Sequence, residues 1–175
     1  LYIGKLREEK GLMLLLAALE AMSRDPQPIK FRFVVPDMSD EIRTRFSIFK
    51  NIVSLRVEPD IDDESYFTEI KNANYVLCTY SPKTYRLRGS GLMMDALAIG
   101  TPVVCTAGVG ALEHVDRENR DAIEIVQSYS AFSVLKGLRQ ATMKADFRQS
   151  IAKNASKVFR ERMDPDHWFE MMTAA

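Results

Sequence analysis

Short apolar runs alternate along this chain with longer segments whose apolar positions recur at helical spacing. Residues 1–4 form the first run and end on a glycine; a charged turn, KLREEKG, follows over 5–11. Residues 12–23 set Leu12, Leu15, Leu16 and Leu19 at helical spacing, and Pro26 and Pro28 end that helix because proline cannot continue it. The run 29–35 alternates and then turns wholly apolar, which reads as a strand closed by Pro36. Ser39 or Asp40 can cap a helix to about residue 50, and 52–57, IVSLRV, reads as a third strand. Acids over 60–63 open a helix at its positive end, as the helix dipole favours, and it runs to about residue 73. Residues 75–80 make a fourth strand.

The stretch 85–106, YRLRGSGLMMDALAIGTPVVCT, carries the most information. It opens with a basic, glycine-containing loop, and a helix is predicted over 91–99 with Ser90 as N-cap and Gly100 as the left-handed C′ residue. Thr101-Pro102 turns the chain into a short strand over 103–105. Within the helix every residue is apolar, small or glycine except Asp95, so the helix is expected between other layers. A carboxylate there is costly unless something satisfies it. The free N–H groups of the helix start face the glycine loop and make an anion site. An anion pocket with an acid one turn in predicts a ligand that joins a phosphate to hydroxyls.

Beyond it, 108–115 begins a short helix, 122–126 is a last strand, and 129–140 and 146–162 are helices. Asp164-Pro165 restarts a terminal helix, with aspartate as cap and proline in the first turn. Strict alternation of short apolar strands with helices predicts one α/β domain, a doubly wound, Rossmann-like parallel sheet buried on both faces. In such sheets ligands bind beyond the carboxyl ends of the strands, at the switch point. For strand order 3-2-1-4-5-6, the turn after the first strand and loop 81–90 face each other there.

Composition changes little. The 175 residues suit one domain, and lysine plus arginine equals aspartate plus glutamate at 24 each. That balance gives no support for nucleic-acid binding or wholesale attraction to anionic membranes, though a local basic site remains open. Cys78 and Cys105 lie in strand-like apolar runs and read as reduced core thiols, which points to a cytoplasmic location. His114 and His167 have no metal-ligand spacing to a cysteine or to each other. No apolar run reaches the roughly 18 residues of a membrane span, and no signal peptide is visible. The first residues already read as strand with no initiator methionine, so the chain reads as cut from a longer one.

Three motifs in order resemble one family. YIGKLREEKG resembles the opening of the carboxyl-terminal domain of GT-B glycosyltransferases, the large retaining class that includes glycogen-synthase-like enzymes. Its glycine, basic residue and Lys-Gly are Gly4, Lys5, Lys10 and Gly11 here. SGLMMDALAIGTPVV is similar to the family's glycine-hydrophobe run, acidic-Ala pair and Gly-x-Pro-Val-Val, and TAGVGALEHV resembles its glycines before Glu-x-Val. The resemblance implies donor binding by this half: residues 1–163 as a nucleotide-sugar-binding domain, and 164–175 as a terminal helix that crosses to an amino-terminal domain. It further implies that Lys5 and Lys10 contact the diphosphate, helped by the helix start at Ser90, Gly91 and Leu92. Asp95 takes the ribose hydroxyls, the backbone near Val57 meets the base, and Arg86 and Arg88 lie near sugar or phosphate. No cofactor or bound metal is implied, because cationic side chains and helix ends offset the leaving diphosphate's charge. The partners implied are a nucleotide-sugar donor and the amino-terminal domain; the full-length protein can still associate peripherally with a membrane. Catalytic residues are not assigned.

Two positions depart from the family. It usually has arginine where Lys5 stands, and lysine keeps the charge but loses bidentate geometry. It also carries a glutamate near the donor sugar, eight residues before the helix acid, where this chain has Leu87. Other readings stay open at this level. Lys5 and Lys10 can be solvated turn charges, Arg86 and Arg88 surface charges, and Asp95 can bridge to a loop arginine with no ligand. Glu113 can sit near a helix start for the dipole alone. A nucleotide-sugar epimerase of the same fold, or a non-catalytic interaction module, remains an alternative to a glycosyltransferase.

Overall fold

The computed structural model describes residues 1–25, 29–115 and 117–163. Six parallel strands form two three-stranded sheets: β1 (Tyr2–Ile3), β2 (Phe31–Val35) and β3 (Val53–Val57) in order β1-β2-β3, and β4 (Val76–Cys78), β5 (Val103–Thr106) and β6 (Ile123–Val126) in order β4-β5-β6. The two meet edge to edge. The Leu77 amide donates to the Leu1 carbonyl at 2.8 Å, and the Leu1 nitrogen donates to the Tyr75 carbonyl at 2.7 Å, the slanted pattern of a parallel ladder. The strands therefore follow the 3-2-1-4-5-6 order expected from the sequence.

Both faces of this surface are covered. On one face α1 (Leu12–Met22), α2 (Asp40–Ser47) and α7 (Ala131–Met143) bury Leu15, Leu19, Phe46 and Val134 against Phe33, Leu77 and Val104. On the other, α3 (Asp63–Lys71), α5 (Gly91–Ile99) and α8 (Ala145–Met163) bury Ile70, Met93, Leu97 and Phe159 against Val76, Cys78, Val103 and Cys105. Neighbouring residues of β4 and β5 thus point into opposite cores, which is why those strands are apolar throughout rather than alternating. Full burial of a side chain such as Phe33 contributes about 1.5–3 kcal/mol relative to exposure.

Helix starts are set by the residues that the sequence marks. Ser39, Asp62, Ser90 and Ser130 each accept a backbone N–H of the helix that follows. Gly100, at φ 88°, closes α5. Two short helices depart from the expected loops: α4 (Pro82–Tyr85) inside 81–90, and α6 (Arg117–Arg120) before β6. Ser81-Pro82 is a recognisable start, with proline in the first turn where its missing N–H costs nothing. The charged turn 5–11 contains a 3₁₀ turn, Glu8–Lys10, and the helix expected over 108–115 is a 3₁₀ turn, Gly110–His114. The seventh helix starts at Ala131 rather than 129 because Ser130 caps it. The terminal helix expected from Asp164 lies outside the described residues. Among the described residues, no helix is long and apolar enough to cross a membrane.

Candidate functional site

At the carboxyl end of the sheet, the turn after β1 and the segment after β4 are bonded to each other. The Ser81 amide donates to the Glu9 carbonyl at 2.8 Å, and the Thr79 hydroxyl donates to the Lys10 carbonyl at 3.1 Å. Gly11 makes this approach feasible. Its φ is +84°, and a Cβ placed there would come within 2.1 Å of the Thr79 carbonyl oxygen. The crevice inferred from strand order is therefore built as a joined pair of loops.

Lys10 lies half-buried in this seam. A Cβ added to Gly4 would stand 3.4 Å from its Nζ, so the ammonium rests over the glycine that ends β1. Burial, and then the charge of Arg7, lower the Lys10 pKa from its ordinary value of 10.5. Lys5 is exposed, with its carbonyl taking the Tyr2 hydroxyl at 2.6 Å. Val57 ends β3 and is 37% exposed.

On the other side of the crevice stands α5. Ser90, 8% exposed, accepts the Met93 amide at 3.2 Å and lies 3.1 Å from the Tyr80 hydroxyl. Tyr80 stacks on Tyr85 with centroids 4.4 Å apart, and the Arg88 guanidinium lies 5.8 Å from the Tyr85 ring centroid, within cation–π range. Gly110 supports the loop from below, since a Cβ there would lie 2.6 Å from the Arg86 carbonyl oxygen. Arg86, Arg88 and Gly91 are exposed, Leu92 is half-buried, and Leu87 is 89% exposed. Neither loop arginine has a carboxylate partner among the described residues. Nothing blocks the open side of Gly91, where an added Cβ would meet no atom within 4 Å. Cys78 lies between the two walls: burial pushes its thiol up to about 11, against the pull of Tyr80, Ser90 and Lys10. Cys78 and Cys105 are both free and buried.

Asp95 does not bridge to a loop arginine. Its Oδ2 accepts the hydroxyl of Tyr66, from the first turn of α3, at 2.8 Å. Sequence reasoning missed Tyr66, because nothing in a helical pattern says which face of α3 meets α5. Glu113 and His114 are exposed. Among the described residues no group of three or more His, Cys, Asp or Glu is placed to hold a metal.

A cavity of about 540 Å³ opens at the opposite edge of the sheet, where Leu1, Phe31, Tyr75 and Ala141 line it. Its lining is largely apolar, with Lys30 as the charged side chain, and that amine donates to the Asn51 carbonyl. It lies at the amino ends of the strands, away from the switch point. Lys10 and the start of α5 follow the carboxyl ends of β1 and β4 instead.

No protein-family model matches the sequence, and no curated protein matches it. Solved structures do match in fold. The chain is similar to HepE of Anabaena, solved in complex with UDP, with a TM-score of 0.70 and 17% identity over 99% of this chain and 49% of that one. It is similar to TarM, with a TM-score of 0.71 and 15% identity over 99% of this chain and 34% of that one. The C-terminal domain of LpcC, a glycosyl transferase group 1 family protein of Francisella tularensis, gives a TM-score of 0.66 and 20% identity over 94% of this chain and 85% of that domain. The architecture is thus the Rossmann-like α/β fold of a GT-B half-domain, as the three motifs imply. The chain spans about half the length of HepE and a smaller part of TarM.

Proposed function

We propose that this chain is the donor-binding half of a GT-B glycosyltransferase, which moves a sugar from a nucleoside diphosphate to an acceptor. The observation that supports the reading is the joined pair of loops at the carboxyl end of the sheet, with Lys10 half-buried in the seam and the α5 start unobstructed at Gly91. Lys10, Lys5 and the N–H groups at Gly91 and Leu92 take the diphosphate, as a cation beside a helix start does. Asp95 takes ribose hydroxyls, the backbone at Val57 meets the base, and Arg86 and Arg88 reach the sugar or its phosphate. Residues 1–163 make up this unit, and 164–175 cross to an amino-terminal domain that supplies acceptor binding. HepE, of similar fold and solved in complex with UDP, supports a nucleotide as the kind of ligand.

One observation favours a second reading. Leu87, almost fully exposed, stands where the family has the glutamate near its donor sugar, and this suits a domain that keeps the fold without the transfer. Calorimetric titration with uridine, guanosine and adenosine diphosphates separates the two. A donor domain binds at least one of them, with its affinity reduced because a half-open cleft leaves the ionic contacts screened. An interaction module binds none.

A further inference from the structure

We propose that Tyr66 is a positioning residue, which turns Asp95 so that one carboxylate oxygen is held back and the other is presented to the ribose hydroxyls of the nucleotide. The inference rests on the site assignment above. Asp95 differs from the other partly buried carboxylates in how it is satisfied. Glu69 has both Arg32 and Arg56, and Glu124 has Arg148 at 2.5 Å. Asp95 has no ion-pair partner among the described residues, and its Oδ2 accepts the Tyr66 hydroxyl. An ionised carboxylate offers about four acceptor directions, so one phenol leaves most of that capacity unused. A half-buried acid in this state suits neutral O–H donors from a ligand rather than a fixed structural ion pair.

Tyr66 is built to stay a donor. It stands in the first turn of α3, where Asp62 accepts the Ser65 amide at 2.8 Å and the Asp62 carbonyl accepts the Tyr66 amide at 2.9 Å. Its ring packs edge-on to Phe67 at 5.2 Å. Burial and the bond to Asp95 raise its pKa far above the ordinary tyrosine value, so the phenol keeps its proton. The terminal torsion of an aspartate is broad and nearly two-fold, and a fixed donor on one oxygen narrows it. Asp95 projects from the second turn of α5, one turn beyond the proposed diphosphate site at Gly91.

The test compares the tightest-binding of the three nucleoside diphosphates with its 2′-deoxy and 3′-deoxy forms, by calorimetry, on the 175-residue chain and on Tyr66→Phe, Asp95→Asn and the double variant. The native chain should prefer the ribose form by about tenfold or more, the scale of one charge-assisted hydrogen bond. Tyr66→Phe should cut that preference by roughly threefold to tenfold while leaving affinity for the deoxy forms nearly unchanged. In an Asp95→Asn background the Tyr66 change should have no further effect on the ratio. An unchanged ratio in Tyr66→Phe, with the ratio lost in Asp95→Asn, overturns the positioning role and leaves the site assignment intact. A ratio untouched by Asp95→Asn, or no binding of any diphosphate, overturns the site assignment and this inference together. Equal weakening toward ribose and deoxy forms, or loss of a cooperative thermal melt in Tyr66→Phe, makes the phenol a determinant of the fold and overturns its positioning role.

Discussion

Lys10 shows how one residue can be both legible and incompletely legible in a sequence. Its place in the Gly-Lys…Lys-Gly pattern carries the resemblance from which a phosphate role is proposed, but its partial burial appears only in the folded chain. With its pKa lowered, the charged form is disfavoured in the folded protein. That penalty is complete below the lowered pKa, and stability rises with pH from there to the ordinary value of 10.5. Diphosphate binding at the proposed site would have the opposite dependence, because there it would need the ammonium. Affinity should therefore fall as pH climbs through that window, earlier than for a solvated lysine. Binding there should also take up protons, visible as a buffer-dependent enthalpy. Lys10→Arg should remove the decline, and Lys10→Ala should weaken the diphosphate roughly tenfold to a hundredfold while sparing the nucleoside. Equal losses for both ligands, measured by calorimetry, would take Lys10 out of the phosphate site.

At the scale of elements, the seam between the loop after β1 and the loop after β4 decides the shape of the site. Gly11→Ala tests it. The substitution combines a left-handed backbone with a Cβ driven into the Thr79 carbonyl, and should cost about 2–5 kcal/mol in urea unfolding. A cost below 1 kcal/mol would mean the seam relaxes freely. The sequence displayed the elements well where a cap or a period names them. Ser39, Asp62, Ser90 and Gly100 all stand where the local chemistry places them, and α5 runs over the expected residues. It displayed loops poorly. The α4 helix follows a start signal in Ser81-Pro82, but four residues carry no measurable period. The four-residue α6 carries none either. Contacts between elements were the least legible. Tyr66 and Asp95 lie 29 residues apart and meet only because α3 and α5 share one face of the sheet.

For the whole molecule, strand order was the inference with the greatest reach. Alternation predicted a parallel sheet, and the β1–β4 junction joins at the carboxyl edge the two loops to which the donor site is proposed to belong. The competing location is the apolar cavity at the amino edge. A titration of the isotope-labelled chain with a nucleoside diphosphate, followed by amide NMR, distinguishes the two edges directly. The donor-site account predicts shifts concentrated over residues 4–11 and 88–95, absent with the matching nucleoside at the same concentration over 4–11. Shifts confined to Leu1, Phe31, Tyr75 and Ala141, or none anywhere at millimolar diphosphate, would contradict it.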